Sequence, residues 1–307
     1  MIQTQWVVQQ LCQQWTDLKV TIEQIHTKGD RVTDVPLTRI GGDGVFVTEI
    51  EQALRERHID LAVHSLKDLP TTQPEGLCLV VTGPREDVRD VFISRTHFPI
   101  AIGYSPLRIG TCSLRRSAQI CKFFPSVSIV PLRGNIDTRL RKLETADYDA
   151  IVLASAGLHR MNLRGSLSQS LTYLPIDLMM PAPGQGALAL ECREEPDWLA
   201  LLTPLQDFAV QAATTAERTF MRHLGAGCYL PIGAYGEIAG DLLTLRGLVI
   251  TLDGQQCIHI QQSIPWTPTS SLADTECLGI ELAEQALKEG ANEIISALMS
   301  TREQIHV

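Results

Sequence analysis

The sequence predicts an α/β protein with parallel sheets and crossover helices, followed by a separate α+β domain. Three observations predict this. Strand-like and helix-like patterns alternate through the first two thirds of the chain. Near Asp207 the pattern changes to a helix, a glycine-rich loop and a hairpin signal. The 307 residues, 44% of them hydrophobic, suffice for two or three compact cores.

Ile2, Trp6, Val7, Leu11 and Trp15 follow helical spacing. This helix begins at Met1 without a capping residue or a strand ahead of it. An α/β domain normally opens with a strand feeding such a helix, so either a strand is missing upstream or the helix is an exposed remnant. Leu18–Ile25 reads as a strand, Val45–Arg57 as a helix, Asp60–His64 as a short buried strand and Leu77–Val81 as an apolar run. A second series follows: strand Leu107–Thr111, helix Ser113–Phe123, strand Ser128–Leu132, helix Asn135–Tyr148, strand Ala150–Ala154 and a helix near Leu158. Ala187–Cys192 is a further strand. The last third offers helix Ala212–His223, strands Leu242–Thr251 and Gln256–Ile264 about an Asp253-Gly254 turn, and helices Glu276–Glu289 and Asn292–Met299.

Composition excludes several classes. No apolar stretch approaches the length that spans a bilayer. The first 16 residues carry no Lys or Arg, against a secretory signal. The eight cysteines are scattered singly, without a CxxC pair, which disfavours zinc and fits a reducing compartment. A net charge of −9 disfavours nucleic acid. Yet residues 105–165 hold ten Lys/Arg against four Asp/Glu, which suggests a small anionic ligand beside the plainer reading of a solvated basic face.

In open α/β sheets, ligands sit beyond the carboxyl ends of strands. Three predicted strand ends there deliver arginine beside a helix start: Arg115 and Arg116 behind Ser113, Arg133 with Arg139, and Arg160. Two arginines in a first helical turn oppose the helix dipole. A surface salt bridge explains any one of them, but the set points to a ligand with several carboxylates or phosphates. Asp60–Pro70 is a strand ending in Ser65, Lys67 and Asp68. Asp68 there either handles a proton and a developing cation or simply pairs with Lys67 in a turn. His64 reads as a satisfied core histidine. Cys228 follows glycines 225 and 227 on an accessible loop, with Arg222 and His223 near enough in sequence to lower its pKa; the other cysteines read as ordinary thiols. Gly41-Gly42-Asp43-Gly44 lacks dinucleotide or P-loop spacing, and Pro183–Gly186 reads as a turn or interdomain hinge.

DLAVHSLKDLP (60–70), GTCSLRR (110–116), LRGNIDTR (132–139), ASAGLHR (154–160), PAPGQGA (181–187) and GAGCYLPIG (225–233) resemble the porphobilinogen deaminase family in order and spacing. The resemblance runs from about Gln3 to the C-terminal helices. It implies two domains like type II periplasmic binding proteins, with parallel or mixed sheets, 1–85 with 186–204 and 88–182, and a C-terminal α+β domain, 207–307. It implies a transferase of tetrapyrrole biosynthesis, leading to heme and chlorophyll. The enzyme condenses four porphobilinogen molecules head to tail, with loss of ammonia, on a covalent dipyrromethane, then releases hydroxymethylbilane by hydrolysis. By the same resemblance, Cys228 carries one dipyrromethane per chain as a thioether and Asp68 is catalytic. Ser65, Lys67, Ser113, Arg115, Arg116, Arg133 and Arg139 hold the cofactor, and Gln3, Arg160 and Gln185 meet the substrate. A cytoplasmic monomer is implied, without metal, membrane or nucleic-acid partner. A plastid stroma is the alternative if a transit peptide has been removed.

The chain departs from the family pattern in two places. Relatives open with a strand and an Arg-x-Ser-x-Leu-Ala segment, whereas Met1 falls within the first helix. Asp43 and Thr48 stand where relatives carry lysines. The expectation is a start placed too far downstream, so that an upstream extension raises stability and activity; the alternative is an impaired or non-catalytic relative that binds a polyanion. A cysteine-nucleophile hydrolase using His223 as base is the third reading.

Overall fold

The computed structural model describes residues 1–27, 47–95, 107–145, 147–163, 165, 171–225 and 230–305. Among these, eleven strands form three sheets.

The first sheet has the order β1-β8-β2, from β1 (Leu61–Ser65), β2 (Leu77–Thr82) and β8 (Leu188–Arg193), all antiparallel. Helix α1 (Ile2–Gln14) lays Val7 and Leu11 against Val80, Leu190 and Cys192 on one face. The other face packs Val81, Ala187 and Ala189 on Val47, Leu66 and Val210. With both faces covered, every residue of β8 is buried, its charged Glu191 and Arg193 included. Helix α2 (Thr48–Arg55) is shorter than the predicted 45–57, whose first residues lie outside those described.

The second sheet has the order β5-β4-β6-β3-β7. Its members are β3 (Asp90–Ser94), β4 (Arg108–Gly110), β5 (Ser128–Val130), β6 (Ala150–Ala154) and β7 (Leu171–Tyr173). β4 runs parallel to β5 and β6, while β3 is antiparallel to β6 and β7. Successive residues of β3 enter opposite cores: Val91 and Ile93 join Ile151 and Leu153, and Phe92 joins Ile109 and Val152. The crossover helices are α3 (Leu114–Phe123), α4 (Ile136–Glu144) and the short α5 (Ser155–Arg160). Ser113 and Asn135 cap the first two by accepting from the N–H groups of Arg116 and Thr138.

Two crossovers, 83–89 and 174–187, join these sheets. After α6 (Pro196–Leu202), the long α7 (Phe208–His223) leads to a meander of β9 (Ile232–Ala239), β10 (Leu242–Ile250) and β11 (Cys257–Pro265). Helices α7 and α8 (Leu272–Ala286) cover it with a core built on Phe220, Leu243, Leu245 and Leu282, and α9 (Asn292–Ile305) is the last described element.

Several expectations are corrected. The first sheet is antiparallel, and the parallel crossovers are confined to the second. Leu18–Ile25 is not a strand: Val20 and Ile22 are exposed, and no described strand lies alongside to take its hydrogen bonds. β3, β7, β9 and α6 were not foreseen. In β9, Gly236 serves close packing, because a Cβ there would stand 2.8 Å from the Ala213 carbonyl oxygen of α7.

Candidate functional site

β1 ends at Ser65 and runs into a single helical turn, Leu66–Asp68. Buried Leu66 anchors the turn, and its N–H donates to Ala187 O at 3.1 Å. From α7, Arg218 donates to the carbonyls of Leu66, Leu69 and Pro70 at 3.2, 3.3 and 2.6 Å. The turn is therefore tied at both ends while Asp68 stays exposed at its tip. Gln3 of α1 donates Nε2 to Ser65 Oγ at 3.0 Å.

Lys67 is half-buried and donates Nζ to Gln185 Oε1 at 3.3 Å. Burial lowers its pKa to about 8; Asp68 opposes the shift and the Arg116 charge adds to it. Gln185 is fully buried, and its Nε2 donates to Val88 O at 2.6 Å and to Asp90 Oδ1 at 3.0 Å. Asp90 Oδ1 also accepts from Arg116 Nη2 at 2.7 Å. Its Oδ2 faces Arg115 Nη2 at 2.8 Å, off the hydrogen-bond axis. Burial alone would raise the Asp90 carboxyl, but the two guanidiniums outweigh it and hold it well below the usual carboxylate range.

Asp90 is thus a partner for Arg115 and Arg116 that the sequence reading did not identify. One carboxylate cannot neutralise two guanidiniums with Lys67 beside them. Arg116 Nε is buried and has no hydrogen-bond partner among the described residues. Arg139 donates Nε to Gly134 O at 2.7 Å, and its pKa is pulled down by burial and by the Arg116 charge. It also feels Asp68 and Arg133, so the strand ends of both sheets share one electrostatic neighbourhood. This surplus of positive charge suits a ligand rich in carboxylates such as dipyrromethane.

Arg160 closes α5 and donates Nη2 to Gly186 O at 2.7 Å. Gly186 has φ +89, and a Cβ there would stand 2.3 Å from Glu86 O, so this turn needs glycine. Gln3 and Arg160 line one cavity of about 250 Å³ whose apolar walls include Ile2, Trp6, Pro84 and Leu188.

Of the residues singled out in the sequence, Gln3, Ser65, Lys67, Asp68, Ser113, Arg115, Arg116, Arg133, Arg139, Arg160 and Gln185 lie among those described. Cys228 and Asp43 lie outside the described residues. His64 is buried against Glu191 at 3.0 Å, the satisfied core histidine expected. Sequence reasoning missed Asp90, Glu86 and Glu217. Arg-Glu-Asp-Val-Arg-Asp at 85–90 reads as ordinary polar loop, and nothing in its spacing marks Asp90 as buried. No described helix is long and apolar enough to cross a membrane.

Two family profiles match the chain. "Porphobilinogen deaminase, dipyromethane cofactor binding domain" covers residues 1–200, and "Porphobilinogen deaminase, C-terminal domain" covers 211–288. A porphobilinogen deaminase of Syntrophotalea carbinolica is 46% identical over 96% of this chain and 91% of its own length. One of Brevibacillus brevis is 42% identical over 98% and 95%. Among solved structures, the periplasmic aliphatic sulphonate binding protein SsuA of Escherichia coli is 12% identical, with TM-score 0.40 over 94% of this chain and 83% of that one.

Proposed function

The chain belongs to the porphobilinogen deaminase family, and on that premise we propose that its cleft builds a linear tetrapyrrole from porphobilinogen. The enzyme is a transferase and its cofactor is dipyrromethane. The observation that carries the reading is the surplus of cations around buried Asp90, beside the exposed carboxylate of Asp68.

Bound through a thioether, the cofactor supplies a nucleophilic pyrrole α-carbon and keeps the growing product attached. We assign that attachment to Cys228. Arg115, Arg116, Arg133, Arg139 and Lys67 neutralise acetate and propionate groups, which gather many negative charges as the chain lengthens. Ser65 and Ser113 add hydroxyl contacts. Arg160 and Gln3 position the incoming monomer, and buried Gln185, implied by the resemblance to meet it, acts instead by holding Lys67. Porphobilinogen loses ammonia to leave a cationic azafulvene. Asp68, held by a tied turn but open to the cleft, manages the proton and stabilises positive charge at the pyrrole nitrogen. Tethering converts successive encounters into steps within one molecule.

We propose domain boundaries at 1–85 with 186–204, 88–182 and 207–307, a division supported by the membership of the three sheets. We place the enzyme in the cytoplasm as a monomer, consistent with scattered cysteines and bacterial relatives. Purified protein is expected to consume porphobilinogen and release hydroxymethylbilane; protein that leaves porphobilinogen untouched contradicts the reading.

A further inference from the structure

The cavity that holds Gln3 and Arg160 also contains a carboxylate, Glu86, which neither the sequence motifs nor the proposed roles above use. Glu86 sits on the first crossover and its N–H donates to Gly186 O at 3.1 Å, the same carbonyl that receives Arg160. Its side chain is held firmly. Oε1 accepts from the Asp87 N–H at 2.8 Å and lies 2.8 Å from His159 Nδ1. His159 is itself fixed through Nε2, 2.7 Å from the Tyr173 hydroxyl. Burial alone would raise the Glu86 carboxyl, but the Asp87 N–H and His159 outweigh it and keep it below the usual range. The side chain retains about a third of its exposure, so it remains open to a ligand.

The cavity therefore presents a fixed anion, a fixed cation, a primary amide and flat apolar walls. A complementary ligand has a planar apolar core, carboxylates and a cationic arm. Porphobilinogen is such a molecule: a pyrrole with acetate and propionate arms and an aminomethyl group protonated at neutral pH. We infer that Glu86 receives the aminomethyl ammonium of the incoming monomer while Arg160 takes a carboxylate, making Glu86 a specificity determinant for the unit that is added. The inference rests on the functional reading above. The simpler role for Glu86 is to balance the charge of Arg160, and the two roles differ in what they predict for a ligand without the ammonium.

The test uses the cofactor-loaded enzyme and its Glu86→Gln and Glu86→Asp variants, with porphobilinogen as substrate. As competitor it uses the same pyrrole dicarboxylate carrying hydrogen in place of the aminomethyl group. Glu86→Gln is expected to raise KM about tenfold, the size of one lost charge-assisted contact, with kcat much less changed. Competitor affinity should stay the same, and Glu86→Asp should fall between wild type and Glu86→Gln. An unchanged KM in Glu86→Gln overturns the inference, as does equal weakening of substrate and competitor, which marks a charge-balancing role. Wild-type enzyme that leaves porphobilinogen unreacted overturns the functional reading itself, whereas an active wild type with an indifferent Glu86→Gln overturns this inference alone.

Discussion

Two of the buried carboxylates, Glu217 and Asp90, each join distant segments of the chain, and they are balanced differently. Glu217 of α7 faces one guanidinium, Arg85, at 2.7 and 3.0 Å, and it also accepts from the N–H groups of Gly184 and Gly236 at 2.6 and 2.7 Å. Its charge is matched one to one, and the four bonds tie both crossovers to the third sheet. Asp90 faces two guanidiniums and the amide of Gln185, with Lys67 one hydrogen bond further on. Its charge is exceeded, and Arg116 Nε is left without a partner among the described residues. A closed ledger of charge is what a scaffold needs, because an uncompensated buried ion is costly. An open one is what a cleft for polyanions needs. On the proposed function, the difference separates the residues that hold the fold from those that bind the ligand.

The largest effect expected lies on the open side. Asp68→Asn should lower turnover by roughly 10²–10⁴-fold, the range for losing a general acid–base group. The folding transition should hardly move, because Asp68 is exposed. Steady-state turnover alongside thermal denaturation checks both halves, and near-normal turnover removes Asp68 from the chemistry.

The next effect lies on the closed side. Glu217→Ala leaves Arg85 and two N–H groups buried without their acceptor, and should cost about 3–5 kcal/mol in denaturant unfolding. Cofactor already attached should remain attached. If Glu217→Ala abolishes turnover without loss of stability, the division between scaffold and cleft fails.

The smallest effect is a pH dependence. Lys67 has its pKa lowered from 10.5 to about 8 in the folded cofactor-free protein, so the unfolded chain binds the extra proton between those values. The contribution of this group to stability is lost as pH falls through about 8 and is regained as pH rises toward 10.5. Lys67→Gln should flatten that part of the stability profile. Occupation of the cleft by carboxylates should raise the Lys67 pKa and weaken the dependence in the loaded enzyme. A wild-type profile identical to that of Lys67→Gln would contradict the placement of Lys67.

The open side was largely readable from sequence because its residues lie in local patterns: a strand, a turn, then a charged tip or a capped helix start. Ser65 to Asp68 and Ser113 to Arg116 follow that pattern, and their elements fall within a residue or two of expectation. Asp90 and Glu217 were not readable, since their importance comes from contacts across 95 and 132 positions of chain rather than from spacing. The antiparallel first sheet escaped for the same reason. Its central strand β8 arrives after the whole second sheet, and alternation of strand and helix predicts parallel pairing only between neighbours in sequence. β9 was missed as well; its Gly236 is there for close packing on α7, a contact with a distant segment that local spacing does not show.

The central claim is that a pyrrole chain tethered through Cys228 lies in the positively lined cleft. Intact mass spectrometry of wild type and Cys228→Ser, each expressed in a porphobilinogen-producing cell and then mixed with limiting porphobilinogen, tests it most directly. The account predicts a wild type heavier than its polypeptide by one dipyrromethane and gaining further pyrrole units on mixing. Cys228→Ser should show the bare mass throughout. A wild type at bare polypeptide mass, or an adduct that survives in Cys228→Ser, would contradict it.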